Sequence, residues 1–180
     1  VGSAIFAPLQ MSHSAVALSD PAVMDIATGY RYWFFWPLPF DAPYTRSTTP
    51  SGFLISSAED MTHYLVAQLN GGRYGNHQLL SPQGIATLHT PGAKMSSLSS
   101  YGMGWVIQGQ PGATEIWHNG DVSNFHSNLL LLPDQHIGIV ILINVSRAYN
   151  GAAVNIPIEG VAAILRGERL TASTNPPVTI

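Results

Sequence analysis

The tetrapeptide Trp117-His118-Asn119-Gly120 sets an imidazole, an amide and a residue without a side chain together, where an alternating segment, Thr114 to Trp117, gives way to a polar turn. Such a set could form one corner of an active site, with His118 offering a hydrogen bond or a charge beside a reacting group. Taken alone, a His-x-Gly also reads as a structural histidine at a strand end. A nucleophile is harder to find. Lys94 is the only lysine and Pro91 stands three residues before it, so no Ser-x-x-Lys pair exists in the chain. The lack of cysteine removes thiolate nucleophiles, thiolate zinc sites and disulfides together. His118, Asp121 and His126 have the chemistry of metal ligands, but their spacing matches no helical ligand pair, so neither a metal nor a cofactor is expected. His13, His63, His77, His89 and His136 fall in loops or on helix surfaces, where solvation is expected. Asn124 and Phe125 follow the tetrapeptide closely enough to line its mouth.

These residues need a rigid support, and the change to a period of two from Tyr101 onward supplies it. Strands are expected over Gly102 to Ile107, Thr114 to Trp117, Ser127 to Leu132 and Ile137 to Val145. The Pro111-Gly112 and Pro133-Asp134 turns between them are short, which implies antiparallel pairing. Leu129 to Leu132 and Ile137 to Ile143 lack polar alternation, so both strands are expected to be buried on both faces, with helices covering the sheet. Ser56 or Ser57 caps a helix that carries Glu59 and Asp60 in its first turn and Met61, Tyr64, Leu65 and Leu69 at helical spacing. Ser81-Pro82 starts a second helix running to about His89, and Ile156 to Leu165 supplies a third. Ile5 to Met11 is the tail of a helix or a turn, and Gly92 to Ser100 a flexible serine-rich loop. The fold class is α+β, an antiparallel sheet layered with helices. One domain is expected over 1–170, helical and looped to 100, sheet plus terminal helix over 101–168, with a loose tail at 171–180.

Tyr30 to Phe40 concentrates aromatic residues, and its two prolines forbid a continuous helix and confine any strand to an edge. Aromatics dominate core burial, so an irregular packed loop covering the core is expected. A hydrophobic substrate wall, a lid or a membrane contact are the alternatives. Charged residues make up only 9% of the chain and the net charge is −3, which gives no electrostatic reason to bind nucleic acid. The low charge also fits a surface that faces a missing part of the same protein. The longest aliphatic stretch, Ile137 to Ile143, falls far short of the ~20 residues of a spanning helix. No basic region precedes the first apolar residues, so no signal peptide is expected, and Val1 to Phe6 reads as the start of a cut piece.

Five segments together resemble the penicillin-recognising serine hydrolases: class C β-lactamases, D-alanyl-D-alanine peptidases and related esterases. They are Ile5-Phe6-Ala7-Pro8-Leu9-Gln10-Met11, Pro50 to Met61, Leu69-Asn70-Gly71-Gly72, Tyr101-Gly102-Met103-Gly104-Trp105 and Trp117-His118-Asn119-Gly120, in the family's order. The family works with a Ser-x-x-Lys, a Tyr-x-Asn and a Lys-Thr-Gly or His-x-Gly, and only the third is present, at His118 to Gly120. The resemblance therefore implies the C-terminal part of a β-lactamase/transpeptidase-like fold, with the first two motifs upstream of Val1. It implies a catalytic role for His118, substrate contacts at Asn119 and Gly120, and an oxyanion donor in the Asp121 N–H. Asp121 departs from the small residue many relatives carry, which leaves the substrate class open. The implied partners are the missing N-terminal half and a small-molecule or peptidoglycan-like substrate, with self-association through exposed apolar surface as a further expectation. Alone the chain is expected to be inactive, and the implied location is the bacterial cell envelope or the extracellular space. A noncatalytic assembly or binding module using the Tyr30 to Phe40 surface is the alternative.

Overall fold

A computed structural model of the chain describes residues 1–16, 26–34, 36–41, 52–110, 112–122, 124–145 and 152–168. The expected tail 171–180, residues 42–51, Phe35 and Pro111 lie outside the described residues. A π-helical turn, Gly2–Phe6, opens the chain, and Phe6, Leu9 and Met11 bury themselves against Ala67. The strands β1 (Tyr30–Trp33) and β2 (Trp36–Pro39) follow, then helix α1 (Ala58–Leu69). Ser57 is the cap of α1: its hydroxyl accepts the Asp60 N–H at 3.1 Å, and Glu59 and Asp60 face the positive end of the helix. The buried Asp60 carboxylate also accepts the His13 N–H at 2.8 Å and the Ser14 O–H at 2.7 Å, which ties the N-terminal segment to the start of α1.

Next come β3 (Arg73–Tyr74), β4 (His77–Gln78) and α2 (Pro82–Leu88), whose cap Ser81 accepts the Gly84 N–H at 3.1 Å. The sheet is built from β5 (Ala93–Lys94), β6 (Ser99–Tyr101), β7 (Val106–Gln110), β8 (Ala113–Val122), β9 (Phe125–Leu132) and β10 (Ile137–Ile143), and α3 (Ala152–Leu165) closes the described chain. These six strands run antiparallel in the order β10-β9-β8-β7-β6-β5, so the strands pair with their neighbours in sequence. The sheet starts at Ala93, inside the stretch expected to be a loose loop. There β5 and β6 form a hairpin in which the Ser96 hydroxyl accepts the N–H groups of Leu98 and Ser99, giving the turn a local hydrogen-bonded form.

Each face of the sheet is covered. Ile107, Ile116 and Leu131 pack against Leu65 and Trp105, with Tyr64, Leu88 and Val140 at the margin. On the other face Leu130 and Leu132 pack against Ile158 and Ala162 of α3. Arg166, just past α3, reaches Glu115 of β8 at 2.6 Å and fastens that layer. β9 is buried on both faces at its C-terminal end, as its unbroken leucines require. β10 is not: its residues are half-buried or exposed, because it is an outer strand laddered to β9 alone along Ile137–Ile143. It lies close under α1, since a Cβ on Gly138 would stand 3.0 Å from the Leu65 Cβ. His63 and His89 are also less solvated than expected. His63 stacks on Tyr74 and pairs its Nδ1 with the Leu9 carbonyl at 2.9 Å. His89 pairs with Gln68 at 3.0 Å and turns its ring edge-on to Trp105, and burial pushes its imidazole below the usual pKa.

The aromatic run overturns its expectation most clearly. It forms a hairpin, β1 against β2, and its rings stand in solvent: Trp33 is 66% exposed, Phe34 80% and Trp36 73%. Proline has no N–H, so the register Tyr30↔Pro39 and Tyr32↔Pro37 makes those the non-hydrogen-bonded pairs, and Arg31↔Leu38 and Trp33↔Trp36 the pairs that exchange bonds. Both prolines thus occupy positions where the missing N–H would have pointed outward, which is how a strand tolerates them.

Candidate active site

The tetrapeptide does not open a turn. β8 continues as a strand through His118, Asn119, Gly120 and Asp121 to Val122, and its turn follows Val122. The polar residues fit a strand because their partners on β9 are polar too: Asn119 faces Asn128, Gly120 faces Ser127 and Asp121 faces His126. The pleat divides them. His118 and Gly120 share a face with Ile116, while Asn119 and Asp121 share the other with Trp117.

The two ladders of β8 end at different places. With β7 the pairing stops at Trp117, whereas with β9 it runs on to Val122. The two-residue connection between Gln110 and Ala113 makes that closing pair a hydrogen-bonded one, and alternation then has Val106 and Trp117 exchange bonds. The closing pair Val122↔Phe125 gives the same parity from the other hairpin. Asn119 and Asp121 therefore aim their backbone N–H and C=O groups toward the β7 side, past the point where the β7 ladder has ended. The result is a lip of strand, 118–122, with main-chain groups directed outward along it.

His118 is half-buried at the start of this lip. Its Nε2 lies 3.0 Å from the Tyr101 hydroxyl, and the two rings meet edge-on at 6.0 Å and 67°. The phenol either donates to a bare Nε2 or accepts from a protonated one, and in both states the contact fixes how the imidazole is turned. A Cβ at Gly120 would come within 2.6 Å of the Ser127 hydroxyl, so a larger residue there requires that side chain to turn away. Asp121 lies 3.2 Å from Nδ1 of the buried His126, whose Nε2 has no hydrogen-bond partner among the described residues. The ligand set is divided across the two faces of the sheet, His118 on one and Asp121 and His126 on the other, and no group of three metal-binding side chains gathers among the described residues.

Asn124 does not line the mouth: it is fully buried, and its amide donates to the Phe40 carbonyl, which clamps the base of the β1–β2 hairpin to the β8–β9 turn. Phe125 is half-buried beside it and faces the base at Gly29. Sequence reasoning placed Tyr101 and Ser127 in the strand region without a role at the site, and weighed His126 only as a metal ligand. The polar stretch His126-Ser127-Asn128 opposite His118-Asn119-Gly120-Asp121 is the signal that could have extended β8 and found two of them. A shallow depression of about 660 Å³, lined by Lys94, Ser97, Gln108 and Asp134 among others, lies toward the far end of β7 and β8.

The helix-covered antiparallel sheet is a fold of the β-lactamase-like proteins. The family model described as Beta-lactamase matches residues 1–162, and the chain belongs to that family. It is similar to Protein flp of Staphylococcus aureus strain N315, 28% identical over 144 residues, which cover 79% of this chain and 28% of that protein. It is likewise similar to the human protein named Putative beta-lactamase-like 1, 28% identical over 149 residues with the same coverage, 79% and 28%. The solved octameric penicillin-binding protein homologue from Pyrococcus abyssi shares the fold with a TM-score of 0.74 at 24% identity, over 93% of this chain and 37% of that one. The chain thus spans 28% of the length of the curated relatives it matches.

Proposed function

We propose that this chain forms the sheet wall of the active site of a serine hydrolase that works by acyl transfer on an ester, an amide or a lactam. The observation that carries the reading is the lip of β8, where the β7 ladder ends at Trp117 while the strand continues to Val122. A substrate laid along that lip pairs with its outward main-chain groups as an added strand. The Asp121 N–H is one oxyanion donor, a contribution of about 3 kcal/mol to the transition state in related chemistry. Asn119 hydrogen-bonds the substrate, Gly120 keeps the strand narrow, and His118, turned by Tyr101, biases the nucleophile and holds an anionic group.

The serine and its lysine come from elsewhere in the parent protein, because Lys94 is the only lysine here and no Ser-x-x-Lys accompanies it. The outer edge of β10 supports the partner assignment: seven residues, all but one aliphatic, carry no further ladder among the described residues and suit an added strand of the missing half. An envelope or extracellular location and a peptidoglycan-like substrate follow from the same reading.

Fluorescent penicillin and a fluorophosphonate are expected to leave the isolated chain unlabelled and to label the serine once the upstream half is added. In that reconstituted or full-length protein, His118→Ala lowers turnover by roughly 100-fold or more. Labelling of the isolated chain, or unchanged turnover, overturns the assignment. A binding module is the second reading, favoured by the exposed rings of the β1–β2 hairpin. Association of the two halves without hydrolysis would select it.

A further inference from the structure

We infer that the β1–β2 hairpin is a docking element for a lipid–water interface. Its pleat places Arg31, Trp33, Trp36 and Leu38 on one face, and Trp33 stands directly opposite Trp36 beside the connection. The tip carries no charge. The single cation of the hairpin, Arg31, lies over the Phe40 ring at 3.8 Å, at the base and two residues behind Trp33. Two residues of strand rise about 7 Å, so tryptophans at the level of the upper acyl chains put the guanidinium at the level of the headgroups. Tryptophan and tyrosine favour that zone because their rings are apolar with one polar edge.

The backbone fits the same occupant. The inner N–H and C=O groups are satisfied by the partner strand, and along β2 the outer donors at Pro37 and Pro39 are absent. A donor-poor edge costs less to bring out of water. It is also a poor template for a strand from another protein chain, which needs those donors. Phe34 sits at φ +53°, a conformation that a bulky side chain adopts at a cost and that Asn or Gly fills more readily. The turn retains a phenylalanine there, 80% exposed, with its edge on Trp33 at 5.5 Å. A turn optimised only for stability would not hold an exposed ring at that φ.

Ring burial drives the contact, since one arginine in a chain of net charge −3 supplies little attraction to anionic lipid. Vesicles of phosphatidylcholine alone are therefore sufficient, and adding phosphatidylglycerol changes binding only a few-fold. The test is sedimentation with such vesicles, using this chain and the longest natural form that contains it. The vesicles are expected to bring both forms down and to shift tryptophan emission to shorter wavelength. Trp33→Ser with Trp36→Ser weakens partitioning by about 100-fold, near tenfold for each ring, while Leu98→Ser, which removes an equally exposed apolar residue from the β5–β6 turn, leaves it unchanged. Circular dichroism that matches the parent chain assures that the double variant is folded. Three outcomes overturn the inference: no partitioning of either form, equal loss in the Leu98 variant, or rings that are shielded from acrylamide without lipid because the upstream half or a second copy covers them. Vesicle binding and hydrolysis are separate readouts, so this proposal and the assignment of the active site stand or fall apart.

Discussion

Two hairpins of similar construction meet at Asn124 and do opposite things with apolar side chains. β8–β9 lies inside the six-stranded sheet, with helices over both faces and the leucines of β9 at its centre. β1–β2 has four residues in each strand, stands outside that sheet and leaves its tryptophans in solvent. The strands of the exposed hairpin are the more apolar of the two pairs, so composition does not decide burial. What decides it is whether both edges and both faces have partners. β9 has a strand on each side, whereas β2 carries prolines where a further neighbour would need donors.

The comparison breaks most decisively in the core. Leu131→Ala removes a side chain with no exposed surface and is expected to cost about 3 kcal/mol in urea unfolding. A loss below about 1 kcal/mol would mean that β9 is not the centre of the covered region. A smaller, pH-dependent effect tests the layer beside it. Burial lowers the His89 pKa, so the unfolded chain binds that proton more tightly than the folded one. His89 therefore costs no stability above the unfolded value near 6.5, and the chain loses stability as pH falls below that value toward the lower native one. His89→Gln should flatten this acid slope relative to the parent chain in thermal melts at stepped pH, and an unchanged slope would place the ring in water. The smallest effect belongs to the exposed hairpin: Trp33→Ser with Trp36→Ser should change unfolding free energy by no more than about 0.5 kcal/mol per site. A larger loss would show that the rings hold the fold together.

Much of the framework was legible because local rules and tertiary packing agree. Ser57 before Glu59 and Asp60 announced α1, and Ser81-Pro82 announced α2, since caps act within one turn of the chain. The ordered segments from Ile5 to Gly120 pointed to the family that the matched residues 1–162 establish. The end of β8 was misread because His118 to Asp121 look like a turn when only their own composition is considered. They are a strand because β9 offers polar partners in register, and that information lies up to nine residues away. The Tyr101–His118 contact was hidden for a related reason, as no local periodicity joins residues 17 apart. Burial of the aromatic run was misjudged because the prolines marked an edge strand correctly, while the rings were assigned to the core from residue type alone.

The clamp at Asn124 has a consequence for how the sequence can change. A Cβ on Gly29 would overlap the Asn124 amide and crowd the Phe125 ring, and that amide holds the Phe40 carbonyl. Positions 29 and 124 therefore cannot drift independently. A larger residue at the first requires a smaller one at the second, and the smaller one lets go of the hairpin. Homologues that differ at one of these positions should differ at the other, and those that have lost both should carry a displaced or shortened β1–β2.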